Sequence, residues 1–179
     1  MGGSFDGLFT VLLWLVAVFL VCTYVSWRAG RLDRLHARVD LARAALDGAL
    51  VRRAAVALEL ATSQLLDPAT SLVLATAAHA ARTADADGRE FAESDLSRAL
   101  RAVVDQPGFH EALGDRAGPL LEELDAAAQK VLFARRFYND AVSATRIARR
   151  RVLARVLPLA GHAPMPEFFE IDDTPPALG

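Results

Sequence analysis

The chain reads as all-α: an N-terminal transmembrane helix that continues into an elongated antiparallel helical bundle of about four helices. Three observations predict this. No charged residue stands between Gly7 and Trp27. Two long Pro-free stretches carry apolar residues at alternating steps of three and four. No segment shows the period-two alternation of a half-buried strand.

The uncharged run reaches ~30 Å as a helix, the thickness of a bilayer core. A backbone crossing lipid must satisfy its own hydrogen bonds, which requires a helix. Arg28, Arg31, Arg34 and Arg38 follow the run, whereas Asp6 is the only charged side chain before it. The positive-inside rule then sets the short segment 1–7 outside, the anchor at 8–27, and everything after it in the cytoplasm. A cleavable signal carries its positive charge before the apolar stretch and a small-x-small site after it. Val25-Ser26-Trp27 offers neither, so the anchor is expected to stay uncleaved in the cell membrane.

Residues 28–157 form the expected bundle. In the first long stretch Leu32, Leu35, Val39, Ala42, Leu46, Ala49, Val56 and Leu60 keep a heptad seam that Arg53 interrupts. In the last one, Leu120, Leu124, Ala127, Val131, Ala134, Tyr138, Ala141, Thr145, Ala148 and Val152 do the same. The two soluble helices, 28–66 and 119–157, come out at ~58 Å each. Asp67-Pro68 suits the start of a second helix, with Asp at the N-cap and Pro in the first turn, running to about Arg82. A third runs from about Arg89 to Val104, with Phe91, Leu96, Leu100 and Val103 on one side, and stops at Gln106-Pro107-Gly108. Residues 107–118 suit a loop with a short helical turn.

Composition sets further bounds. The net charge of −2 argues against nucleic acid as a partner. The one Cys, Cys22, lies inside the apolar run, which excludes a disulfide framework or a zinc–cysteine site. Nineteen of the 20 basic residues are Arg, and Ala is abundant, a pattern that suits a GC-rich bacterial genome and favours helix. His36, His79, His110 and His162 stand in no metal-binding spacing. Thr83-x-Asp85-x-Asp87-Gly88 resembles a calcium loop but lacks the closing Glu, since Ser94 occupies that place. No phosphate loop or nucleophile elbow occurs. No cofactor is expected, and no enzyme activity.

Five groups of residues remain to be placed as structural or recognition candidates. Arg53, a cation on a heptad seam, must find a carboxylate or reach water. Level-matching the long helices makes Asp125 or Asp140 its expected partner. A ligand-binding role for Arg53 is the rival, in which the protein is a ligand sensor or an unrecognised enzyme. Tyr138 and Asn139 should be core and register residues, with the Tyr138 hydroxyl partnered. Phe133 and Phe137 suit a packing pair against the second or third helix. Four helices give even parity, which returns the last one to the leaflet. Arg149, Arg150, Arg151 and Arg155 would there join Arg28, Arg31 and Arg34 in a basic collar for anionic lipid headgroups. The Pro-rich tail, 158–179, holds Phe168-Phe169, which should dock on the bundle rather than stay exposed.

The stretch Phe133-Ala-Arg-Arg-Phe-Tyr-Asn-Asp-Ala-Val142 resembles the ARxxYNDAV signature of the LemA family. Leu35-His-Ala-Arg-Val39, with Ala42, Leu46, Leu50 and the pair Arg52-Arg53, is similar to the family's first helix, and Pro166-Glu-Phe-Phe-Glu170 to its closing segment. The resemblance implies an anchored, cytoplasm-facing helical bundle of bacteria with no established chemistry. Three family features are missing: Ala54-Ala-Val-Ala-Leu58 replaces an Asp-Leu-Ile-Pro segment, Thr145-Arg146 stands where a second Tyr-Asn pair is frequent, and Ala128 replaces an acidic residue. The function expected from all this is a non-enzymatic scaffold or modulator of other envelope proteins, with homo-oligomers as a further partner class.

Overall fold

The computed structural model describes residues 3–109, 117–153 and 164–178, apart from the side chains of 3–6, 8, 25, 28, 29, 32 and 151–153. Among the described residues there are four helices and no strand: α1 Gly3–Thr62, α2 Pro68–Thr83, α3 Arg89–Val104 and α4 Gly118–Leu153. The fold is all-α.

α1 is a single helix of 60 residues that holds both the uncharged run and the first seam. It ends at Thr62, four residues before the expected stop. The Thr62 and Ser63 hydroxyls donate back to the carbonyls of Leu58 and Leu60, and Gln64 turns left-handed at φ 62°. These side-chain bonds compete with the backbone ladder and close the helix early. Asp67 then caps α2 as expected, its carboxylate accepting from the amides of Ala69 and Thr70. The hydrogen bonds from Thr70 hold that carboxyl below the usual aspartate range.

α1 is the central element. It packs on α4 and α2 and, over a short stretch, on α3, while α2 packs on α3. The register along α4 is antiparallel: Arg38 lies over the Phe137 ring, and Arg52 pairs with Glu123. Along α3 it is parallel, Asp47 meeting Arg89 and Arg53 meeting Glu93. Two apolar clusters follow. The first joins Ala54, Val56, Ala57 and Leu60 with Leu74, Ala78, Leu96, Leu100, Val103 and Leu124 from all three other helices. The second holds Val39, Ala42, Leu46, Ala49 and Leu50 against Val131, Tyr138, Ala141 and Val142 of α4, with Phe169 and Ile171 beside them. There α2 and α3 do not contribute, and the tail takes their place.

The heptad seams are buried along their middle stretches, Val39 to Leu60 on α1 and Leu124 to Thr145 on α4 with Ala134 half-buried; Leu35, Leu120 and Ala148 are half-buried, and the side chains of Leu32 and Val152 lie outside the described residues. Phe91, expected on one side with Leu96, Leu100 and Val103, is instead 69% exposed, and Leu72 of α2 is 68% exposed. The face of α3 is set instead by Ala92, Leu96, Leu100 and Val103, whose steps of four and three leave Phe91 one position outside it. Phe133 and Phe137 also face outward, 61% and 46% exposed. They flank the α4 seam, and the Arg38 guanidinium lies over the Phe137 ring.

Among the described residues no helical segment is long and apolar enough to cross a membrane. Within the apolar run the side chains of Phe9–Tyr24, Ser26 and Trp27 are described and exposed, those of Leu8 and Val25 lying outside the described residues. Residues 110–116, where a helical turn was expected, and 154–163, with the expected end of α4 and Arg155, lie outside the described residues.

Candidate functional site

Two polar sites stand out, one inside the bundle and one on its flank. The first is built on the adjacent residues Arg52 and Arg53. Neighbours on a helix point about 100° apart, so the pair addresses two different helices. Arg52 reaches Glu123 of α4 in an exposed ion pair. Arg53, 3% exposed, turns to α3. Its Nη2 donates to Glu93 Oε2 at 2.7 Å and to the Glu93 carbonyl at 3.1 Å, and its Nη1 to Ser97 Oγ at 2.7 Å. The partner is therefore Glu93 on α3 rather than Asp125 or Asp140 on α4. The reason is azimuthal: the α4 side of α1 at this level is taken by Arg52.

Burial pushes the Glu93 carboxyl above the usual glutamate range, against the downward pull of Arg53. Desolvation thus outweighs pairing, as it does for many buried ion pairs. A cavity of about 100 Å³ lies against Glu93, with Leu50, Ala54, Ala81 and Arg89 among its other walls. Ligand pockets run to roughly 300 Å³ and more. Only Nε of the Arg53 guanidinium is buried without a partner. The geometry is that of a structural cross-brace between α1 and α3.

The second site is the groove between α3 and α4, which residues 164–178 fill in extended conformation. The wall from α4 is one stripe: Arg135, Tyr138, Asn139, Arg146 and Arg149. The Tyr138 hydroxyl donates to the Glu167 carbonyl at 2.9 Å. The Asn139 side chain grips the backbone of Phe169 at both ends, Nδ2 donating to its carbonyl at 3.1 Å and Oδ1 accepting from its amide at 2.9 Å. Arg146 and Arg149 donate to the carbonyls of Pro166 and Pro164. Arg135 holds Asp173 in a two-pronged pair at 2.7 and 3.0 Å.

The wall from α3 matches it at one-turn spacing. Glu90 Oε1 accepts from the amide of Glu170 at 2.8 Å, and Ser94 Oγ from the amide of Asp172 at 3.1 Å. Arg101 pairs with Asp172 through Nη1 and Nη2, and its Nη1 also donates to the Thr174 carbonyl. That hydrogen-bonded guanidinium keeps the Asp172 carboxyl below the usual aspartate range. Burial pushes the Tyr138 phenol up, so at neutral pH it is a proton donor. The tail runs antiparallel to α4 and parallel to α3, and Asn139 reads both a donor and an acceptor of its backbone.

Phe168-Phe169 dock, as expected for the tail, though unequally. Phe169 is half-buried against the second cluster, while Phe168 is 40% exposed with the Arg146 guanidinium 5.1 Å from its ring centre. Arg149, expected in the lipid-facing collar, is 7% exposed and turned to the tail, which removes it from that collar. Arg31, Arg34 and Arg150 are exposed. Arg28 and Arg151 lie on α1 and α4 with their side chains outside the described residues, as Arg155 is altogether.

The sequence reading missed Glu90, Ser94, Arg101 and Arg135 as tail contacts, and Asp172-Asp173 as their targets. A signal was present. Glu90, Ser94 and Arg101 fall on one face of α3 beside its apolar stripe, and the tail carries adjacent carboxylates to match the Arg. In comparison with known proteins, the chain matches no family model, no curated protein and no solved structure.

Proposed function

We propose that the chain is a non-enzymatic, membrane-anchored helical scaffold, with its N-terminus outside and its bundle in the cytoplasm, that works on other envelope proteins. The observation that carries this reading is the division of α1. Its second half is the centre of a packed bundle. Its first half is apolar on every side and exposed on every side, with Trp14 and Phe19 each 68% exposed. A helix that is hydrophobic all round needs an apolar environment, and among the described residues no other element covers it.

The register supports the lipid-facing part. Arg38 over Phe137 and Arg52 with Glu123 fix one antiparallel offset. Carried on at that offset, Arg146 comes level with Arg28–Arg31, and Arg150 with the last turn of the apolar run. Arg28, Arg31, Arg34, Arg150, Arg151 and Arg155 would meet anionic headgroups there. Kinship with the LemA family belongs to the same proposal. Its support is that the stretches carrying the resemblance meet in space, Tyr138 and Asn139 bonding to Glu167 and Phe169.

Labelling of single cysteines tests the topology. In a Cys22→Ser background, Ser4→Cys should react with a membrane-impermeant thiol reagent on intact cells, and Asp87→Cys only after permeabilisation. The reverse pattern, or loss of the protein from the membrane fraction at high pH, overturns the reading. Proximity labelling with and without residues 1–27 then tests the scaffold role: neighbours that do not change on removing the anchor contradict it.

A second reading, a homo-oligomer, is favoured by the exposed stripe of Leu41, Phe133 and Phe137 beside the α1–α4 seam. Cross-linking through cysteines at Phe133 tests it, absence of a dimer band counting against it.

A further inference from the structure

We propose that the α3–α4 groove is a binding site for extended peptide segments, and that residues 164–178 are its resident, displaceable occupant. The ligand class is an apolar-x-apolar segment followed by two acidic residues, carried by a partner protein. This goes beyond the scaffold reading and rests on it only in taking the incoming segment from another protein.

Recognition in the groove is directed at backbone. Tyr138, Asn139, Arg146 and Arg149 bind four tail residues through carbonyl or amide groups, and Glu90 and Ser94 bind two more through amides. Such contacts accept any extended chain. Main-chain bonds give affinity, and pockets for alternate side chains give selectivity. The alternate side chains are Phe169 and Ile171, which lean on the second cluster. The charge filter is Arg135 and Arg101, which take Asp173 and Asp172.

Displacement is expected for three reasons. Much of the hold is polar, and each such bond exchanges for one to water at small net cost. Phe168 and Phe169 also border an open cleft of about 310 Å³ together with Tyr138 and the α2–α3 loop, so the tail is not jacketed there. Finally, Pro164 returns to Arg149, about one turn before the last described turn of α4, although residues 154–163 offer a contour of about 30 Å. A link of that contour length is long enough to let the tail leave the groove. It holds the tail near the groove at roughly millimolar effective concentration without forcing it in. A cis occupant of this kind sets a threshold that an incoming segment must exceed.

The test uses the full chain in lipid nanodiscs with a sequence-specific protease site inserted within 154–163. After cutting, a fluorescent peptide of residues 164–178 should enter the groove, seen as a saturable rise in anisotropy. Replacing both Asp172→Asn and Asp173→Asn in the peptide, or Asn139→Ala in the protein, should weaken it about tenfold. Before cutting, the tethered tail should weaken the same peptide at least tenfold. Three results overturn the proposal: cutting unfolds the bundle; the cut tail stays bound and excludes excess peptide for a day; or the peptide binds regardless of Asp172, Asp173 and Asn139. The first two make the tail a permanent part of the fold. None of them bears on the membrane topology, which the cysteine labelling decides separately.

Discussion

Replacing Arg53 by Leu is the sharpest perturbation of the bundle's interior. Arg53 makes three hydrogen bonds with Glu93 and Ser97, and both carboxylate and guanidinium are almost wholly buried. Leucine fills much of the space but leaves Glu93 without its counter-charge, and breaking a buried pair from one side costs about 3–5 kcal/mol. For a domain of this size each kcal/mol moves the melting temperature by about 2–4 °C, so Arg53→Leu should lower it by about 10 °C. Adding Glu93→Leu removes the stranded carboxylate, and the double variant should recover most of that loss. Arg53→Ala should fall lowest, because it adds a cavity to the same unpaired charge. The effect of Arg53→Leu also has a pH signature. Burial already raises the Glu93 pKa, and losing Arg53 raises it further. A raised carboxyl contributes stability that is full below its unfolded pKa and is lost as pH rises through the folded one. The gap between the variant and the parent should therefore narrow as pH falls from neutral toward the ordinary glutamate range. Thermal circular dichroism of the full chain in detergent measures all of this. A melting temperature within a few degrees of the parent for Arg53→Leu, or a double variant no better than the single one, would refute the cross-brace.

Acidification should free the tail before it melts the bundle. Asp172 is held below the usual aspartate range by Arg101, so its contribution is present above that range and lost as pH falls through the depressed value. Glu93 acts in the opposite sense, so tail amides should lose protection while helicity persists; simultaneous loss contradicts this. The fragment 29–179 should bind anionic vesicles and release them as salt rises, each collar Arg contributing roughly 1 kcal/mol. Arg31→Gln, Arg34→Gln and Arg150→Gln together should weaken that binding by about two orders of magnitude, and vesicle binding unchanged in this variant sinks the collar. Arg52→Ala should change the melting temperature by no more than a few degrees, since exposed pairs are worth about 1 kcal/mol or less.

The sequence was most legible where periodicity governs. The seams of α1 and α4, the capped start of α2 and the span of α3 all follow from apolar spacing and from Asp67-Pro68. It was least legible where azimuth governs. Arg53 stands on the seam by count, yet its partner depended on which helix lies on that side, and the level of the helices alone pointed to α4. Phe91, Phe133 and Phe137 are large and apolar, but each stands beside its helix's buried face and not on it. The tail was recognisable as non-helical and as a docking segment from its Pro content and Phe168-Phe169. Its path was not, because a segment held by main-chain hydrogen bonds leaves little periodic trace in its own side chains. Tyr138 and Asn139 were expected as core and register residues. They do border the core, but their polar atoms are spent on the backbone of a segment about 30 residues away.

Hydrogen exchange at the tail tests most directly whether the Arg135–Tyr138–Asn139 stripe holds residues 164–178 against the bundle. In the parent, the amides of Phe169, Glu170 and Asp172 should exchange well below the rate of a free peptide, because each donates to a fixed side chain. Asn139→Ala should raise all three toward the free rate while Leu46, Leu50 and Leu60 of α1 keep their protection. Tail amides exchanging freely in the parent, or staying protected in Asn139→Ala, would contradict the account.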